Sequence, residues 1–178
     1  MRKRLGVAAV SVAALVAVLW AIGWMLPVGH VARCQTRIAQ PAERLFAVIT
    51  DYAAHPTWRD DLARVEVIDA TPGHEVVREH SSFGVIDVHV ERAEAPILLV
   101  TRVSDPDGAF GGTWTFELSV LPGATQLAIT ERGEVYAPLF RLLSHTVFST
   151  TSTIESYQRA LGRRFSQDVF ITCTSASP

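Results

Sequence analysis

Lysine is nearly missing from this 178-residue chain: Lys3 is the only one, and arginine carries almost all of the basic charge. No basic cluster follows residue 30. Beyond that point thirteen basic residues face all eighteen acidic ones, a net charge of −5 within a total of −2. An acidic region without a basic patch is a poor nucleic-acid binder, and it offers nothing to anionic headgroups. Cysteine is scarce as well. The two present, Cys34 and Cys173, have no zinc-site spacing to histidine or to each other. No Gly-x-Ser-x-Gly elbow, glycine-rich phosphate loop or metal-ligand cluster occurs, so no metal and no cofactor is expected. Internal repeats and low-complexity tracts are absent too. Oligomeric state leaves no mark on this sequence.

What the chain has in surplus is one apolar run. Residues 5–26 carry no charge, and Arg2, Lys3 and Arg4 precede them. As a helix this run spans roughly 33 Å, enough for a hydrocarbon core. Trp20 and Trp24 lie near its far end, and Pro27 and Gly29 close it. The pattern predicts a basic cytoplasmic tip at 1–4, a transmembrane signal anchor at 5–26 and a linker at 27–30. A domain over 31–178 would then be periplasmic or otherwise extracytoplasmic, with the membrane as a partner through the helix. The competing reading is a cleaved signal peptide. The run is longer than the usual apolar core of one, and no clean Ala-x-Ala site follows it. In an oxidising compartment Cys34 and Cys173 would bridge the two ends of the domain; the alternative is two unpaired core residues.

The rest of the chain reads as an antiparallel α+β domain. A strand-like stretch from Val31 to about Gln40 leads to Pro41, which suits a first helical turn, and to Leu45, Phe46 and Ile49 on one helical face. A second short helix is expected to hold Trp58, Leu62 and Val65. About six strands follow, divided by turns such as Thr71-Pro72-Gly73 and Pro122-Gly123. Two alternate cleanly: Thr113–Val120 puts Trp114, Phe116 and Leu118 on one face, and Gln126–Val135 puts Leu127, Ile129 and Glu131 on one parity. From Pro138 onward Phe140, Leu143, Val147, Ile154, Tyr157, Leu161 and Phe165 recur at helical spacing, so one long helix covers the sheet. The Thr150–Thr153 segment is a poor helix former that loosens or breaks it. Val169–Thr174 ends the chain as a short strand.

Polar candidates are few. Glu131 shares its parity with apolar neighbours, so it either faces an interior as an acid or base, pairs with Arg92 or Arg102, or reaches solvent at a strand end. Arg78 and His80 share parity with Val76, which lines them up for the same interior or for a polar edge. His55, with Tyr52, Trp58 and Arg59, is positioned to orient a ligand's polar end or to build a turn around a structural tryptophan. Asp87 and His89 stand two apart but oppose Ile86, Val88 and Val90, so they read as an outer face. His145 on the last helix reads as a surface residue.

The stretch Ile38 to Tyr52, with Pro41-x-Glu43-x-x-Phe46 followed by Asp51, Pro56 and Trp58, resembles the helix-grip superfamily known as SRPBCC. That superfamily takes in START lipid-transfer domains, birch-pollen-allergen-like proteins and the polyketide cyclase/dehydrase family. Gly112–Leu118, Gln126–Glu134 and the closing helix are similar to it as well, over about residues 31–167. The resemblance implies a curved antiparallel sheet of about seven strands gripping a long C-terminal helix, with an apolar cavity between them. Its lining would draw on Phe46 and Trp58 from the short helices and on Val88, Val90, Trp114, Phe116, Leu118 and Ile129 from the strands. Leu143 and Val147 would come from the long helix. Binding or transfer of a hydrophobic small molecule or lipid is the leading expectation. A polyketide cyclase/dehydratase-like enzyme, drawing on Glu131, Arg78, His80 and Tyr52, is the second. A protein-interaction module with a closed cavity is the third.

Overall fold

The computed structural model describes residues 2–81, 84–106, 108–146 and 151–176, with side chains at 11, 14–81, 84–106, 108–143 and 151–175. The chain opens with α1 (Arg2–Met25) and β1 (Gly29–Ile38). Next come α2 (Ala42–Thr50) and two turns of 3-10 helix (Tyr52–Thr57). Six strands follow in meander: β2 (Leu62–Asp69), β3 (Val76–Ser81), β4 (Gly84–Glu94), β5 (Leu98–Ser104), β6 (Phe110–Leu121) and β7 (Ala124–Val135). The chain then forms α3 (Pro138–Thr146), α4 (Ser152–Arg164) and β8 (Ile171–Ala176).

All strand pairs are antiparallel and join one eight-stranded sheet in the order β2-β3-β4-β5-β6-β7-β1-β8. The expected short strand at the C-terminus joins this same sheet as an edge strand on β1, which brings the expected seven to eight. There Cys34 lies directly opposite Cys173, and the two form a disulfide. The expected second α-helix is replaced by the 3-10 turn, and Leu62 and Val65 belong to β2, whose pairing with β3 overrides their helical spacing. The long C-terminal helix is two helices. α4 alone buries a stripe on the sheet: Ile154, Tyr157, Gln158 and Leu161, at offsets of three, four and seven. Gln158 is fully buried and donates from Nε2 to the Cys34 carbonyl at 3.2 Å, which ties α4 to β1.

Among the described residues no helix is long and apolar enough to cross a membrane. This overturns the expected transmembrane anchor at 5–26, the cytoplasmic tip, the membrane partnership and the extracytoplasmic placement built on them. α1 packs against α3. Its last turns are docked on the domain. A Cβ on Gly23 would stand 2.0 Å from the Pro138 carbonyl oxygen, so only glycine permits this approach. Arg141 of α3 donates to the Val135 and Tyr136 carbonyls at 2.7 and 2.8 Å and reaches the Leu26 carbonyl at 3.4 Å.

Candidate functional site

Between the sheet and α4 lies a ring cluster with charged groups set into it. The 3-10 turn builds one side. Three residues per turn place Tyr52, His55 and Trp58 one above another on a single face. Their ring centroids are 5.2 and 5.1 Å apart in succession, and all three are more than nine-tenths buried. The turn closes where the backbone N–H groups of Trp58 and Arg59 donate to the His55 carbonyl. Tyr157 of α4 completes the ladder, 5.5 Å from Trp58 and 6.5 Å from His55. Phe116 and Trp114 of β6 pack on its other side at 5.6 and 6.0 Å.

Charge enters from Glu79 on β3, 4% exposed, and from Arg59. The Arg59 Nη1 donates to Glu79 Oε1 at 2.8 Å and its Nη2 to Asp61 Oδ2 at 2.8 Å, while its guanidinium sits 5.3 Å from the Tyr157 ring centroid. Burial works to lower the Arg59 pKa, but Glu79 and Asp61 outweigh it and hold the group above its ordinary value. His55 Nε2 stands 3.0 Å from the Ile49 carbonyl and donates to it. Its Nδ1 stands 3.5 Å from Glu79 Oε1, within ion-pair reach but outside hydrogen-bond geometry. Burial drives both phenols far above their ordinary range. For Tyr52 the carboxylates of Glu75 and Glu79 add to it; for Tyr157 the Arg59 charge opposes it and Glu79 adds to it. Both are therefore neutral hydroxyls at physiological pH.

Four polar atoms of this cluster have no hydrogen-bond partner among the described residues: Tyr52 Oη, His55 Nδ1, Trp58 Nε1 and Tyr157 Oη. Each buried polar group left unmatched costs about 1–3 kcal/mol. Four such atoms within one cluster of rings leave polar capacity unused in an otherwise apolar interior, which hydrogen bonds to a bound partner would fill.

The other expected residues divide. Phe46, Val88, Val90, Leu118 and Ile129 are buried in the same core as Trp58 and Phe116, with Trp114 packed against it. Leu143 is 49% exposed on α3, outside that core, because α3 packs against α1 and not over the sheet. The side chains of His145 and Val147 lie outside the described residues. Arg78 and His80 face away from the interior. Arg78 makes a two-pronged pair with Asp87, at 2.7 and 2.9 Å, and His80 stands 3.2 Å from Glu66. The buried parity of β3 belongs to Val77 and Glu79. Glu131 is on the inner face, 3.8 Å from His30 Nε2, with Oε2 buried and unmatched among the described residues. The His30 ring occupies the space a Cβ at Gly133 would need, 2.2 Å from it. Arg92 and Arg102 do not reach Glu131; they pair with Glu94 and Glu91. Two surface clefts, of about 370 and 440 Å³, flank α4 and β1 and are lined by Arg159, Arg163 and Val169 and by Gln35, Arg37 and Phe170. None of the expected ligand-lining residues borders them.

Glu79 was missed in the sequence because Val76 and Val77 are adjacent and give β3 no visible parity. The signal that was available is the Tyr-x-x-His-x-x-Trp spacing of three.

A family model described as polyketide cyclase / dehydrase and lipid transport matches residues 31–163, more than half of the chain. Among solved structures, a START superfamily protein from Mycobacterium smegmatis superposes with a TM-score of 0.61 at 19% identity, covering 76% of this chain and 96% of that one. A protein from Thermus thermophilus gives 0.62 at 18% identity over 75% and 95% of the two chains. The Zhui aromatase/cyclase from Streptomyces sp. R1128 gives 0.62 at 16% identity over 76% and 93%. At these identities the likeness is one of fold. No curated protein matches the sequence.

Proposed function

We propose that this chain, which belongs to the polyketide cyclase / dehydrase and lipid transport family, binds a hydrophobic small molecule between its sheet and α4. The observation that carries this reading is the set of four unmatched, nine-tenths-buried polar atoms inside a wall of aromatic rings. A purely structural core would hold phenylalanine at such positions. The family description includes lipid transport, and START-type neighbours share the fold. Native mass spectrometry of the full chain, purified gently and followed by solvent extraction of the same sample, tests the reading. A lipophilic molecule at near-stoichiometric occupancy supports it. An empty protein that also takes up none of a panel of naphthalene-sized hydrophobic probes refutes it and favours a closed interior serving a protein partner.

A cyclase-like activity is the second reading, and one observation favours it. Glu79, His55 and Arg59 converge with two neutral phenols, which meets the minimum of two titratable groups within reach of one ligand. On this reading Glu79→Gln removes turnover of a poly-β-ketone substrate while binding persists. On the first reading binding persists and no turnover exists to lose.

A further inference from the structure

The four unmatched atoms are of two kinds. Tyr52 Oη, Trp58 Nε1 and Tyr157 Oη each have a proton to give. His55 Nδ1 is the reverse case. The Ile49 carbonyl can only accept, so the imidazole proton resides on Nε2 and Nδ1 of the neutral ring keeps its lone pair. That lone pair faces a buried interior beside the Glu79 carboxylate, 3.5 Å away.

The charges nearby are also unequal. Glu79 and Asp61 are both within 2.8 Å of the single guanidinium of Arg59, which leaves two carboxylates sharing one cation beside His55. A ligand carboxylate would add a further negative charge and bring no proton for Nδ1. A bare hydrocarbon would satisfy none of the four atoms. A hydroxyl oxygen accepts from an indole or phenol and donates its own proton to the imidazole. From this geometry, and resting on the binding reading above, we propose that the interior recognises a hydrophobic molecule through one un-ionised hydroxyl. That hydroxyl is held between the Trp58 and tyrosine donors and the His55 Nδ1 acceptor, and the corresponding carboxylate is rejected.

Three probes of one shape test this: naphthalene, 2-naphthol and 2-naphthoate, titrated into the full chain at pH 7 by calorimetry. There the naphthol keeps its proton and the naphthoate has lost its own. The expected result is that 2-naphthol binds roughly tenfold more tightly than naphthalene and naphthoate. In His55→Phe the ratio of naphthol to naphthalene affinity falls to about one. If that variant does not fold, Trp58→Phe provides the same ratio. Naphthoate binding as tightly as naphthol, or a naphthol advantage that survives His55→Phe, overturns the hydroxyl inference and leaves the binding reading intact. Failure of all three probes to bind overturns both.

Discussion

The ion pair of Arg59 and Glu79 makes a quantitative test of the interior. Replacing Arg59 with Met removes the 2.8 Å bond to Glu79 Oε1 and leaves a carboxylate whose side chain is 5% exposed, with only His55 Nδ1 at 3.5 Å beside it. An uncompensated buried charge of this kind costs about 3–5 kcal/mol. Glu79→Gln is milder, because Arg59 keeps Asp61 at 2.8 Å and the face of Tyr157. Its cost is about 1–2 kcal/mol. In the double variant no buried carboxylate remains to be penalised, so the two costs are not additive, and the coupling is about 1.5–3 kcal/mol. Urea denaturation reads all three. With a slope near 2 kcal/mol/M, the Arg59→Met midpoint falls by roughly 2 M. If Arg59→Met were no more damaging than Glu79→Gln, or if the two costs added to within about 0.5 kcal/mol, the interior would not be the low-dielectric site described.

Two further outcomes follow from the same geometry. The disulfide closes a loop with a sequence separation of 139 and fastens β8, which among the described residues pairs with β1 alone. Cys34→Ser/Cys173→Ser should lower stability by about 2–4 kcal/mol, and hydrogen exchange should show β8 losing protection first; unchanged protection of 171–176 would contradict this. The tyrosines predict the alkaline limb of stability. Tyr52 and Tyr157 hold their protons in the folded state past the pH, about 10, at which an unfolded chain releases them. The folded state then binds more protons than the unfolded one, so stability falls as pH rises above about 10, by up to roughly 2.7 kcal/mol per pH unit for the pair. Absorbance at 295 nm should show exposed Tyr136 titrating separately and the other two only with unfolding. Smooth ionisation of all three in the folded protein would refute the burial argument.

Much of the sheet was readable because strict alternation leaves one consistent register. The expected Thr113–Val120 and Gln126–Val135 strands lie within β6 (Phe110–Leu121) and β7 (Ala124–Val135), with Phe116, Leu118, Leu127 and Ile129 inward. The helix after Pro41 was readable from its apolar face. The site was only half legible. Tyr52, His55, Trp58 and Arg59 could be seen as a group, but their partner Glu79 is distant in sequence and sits in a strand whose paired valines hide its parity. Arg78 and His80 drew attention in its place. What settles their outward direction is the pairing of Arg78 with Asp87 across β3 and β4, a tertiary fact. Leu143 failed for a similar reason. Helical spacing cannot reveal that α3 packs on α1 and leaves the sheet to α4.

The ion pair and the unmatched atoms call for different explanations. Arg59 and Glu79 can be accounted for by folding alone: the segment between β1 and β2 must cross to the far edge of the sheet, and a buried pair fixes where it lands on β3. Such pairs are weak evidence for stability and have their best-attested role in registry. Registry does not explain the Tyr157 hydroxyl, which meets no partner among the described residues. Phenylalanine would keep all four ring contacts. Tyr157→Phe therefore separates structure from function. If the hydroxyl is kept for a ligand, the empty protein should lose nothing and gain up to about 1 kcal/mol, because an unmatched buried group is removed. The same variant should bind 2-naphthol more weakly and leave naphthalene unchanged. A stability loss of more than about 1 kcal/mol in the empty protein would show that the hydroxyl is satisfied internally, for instance by a buried water, and the functional reading of this atom would fall.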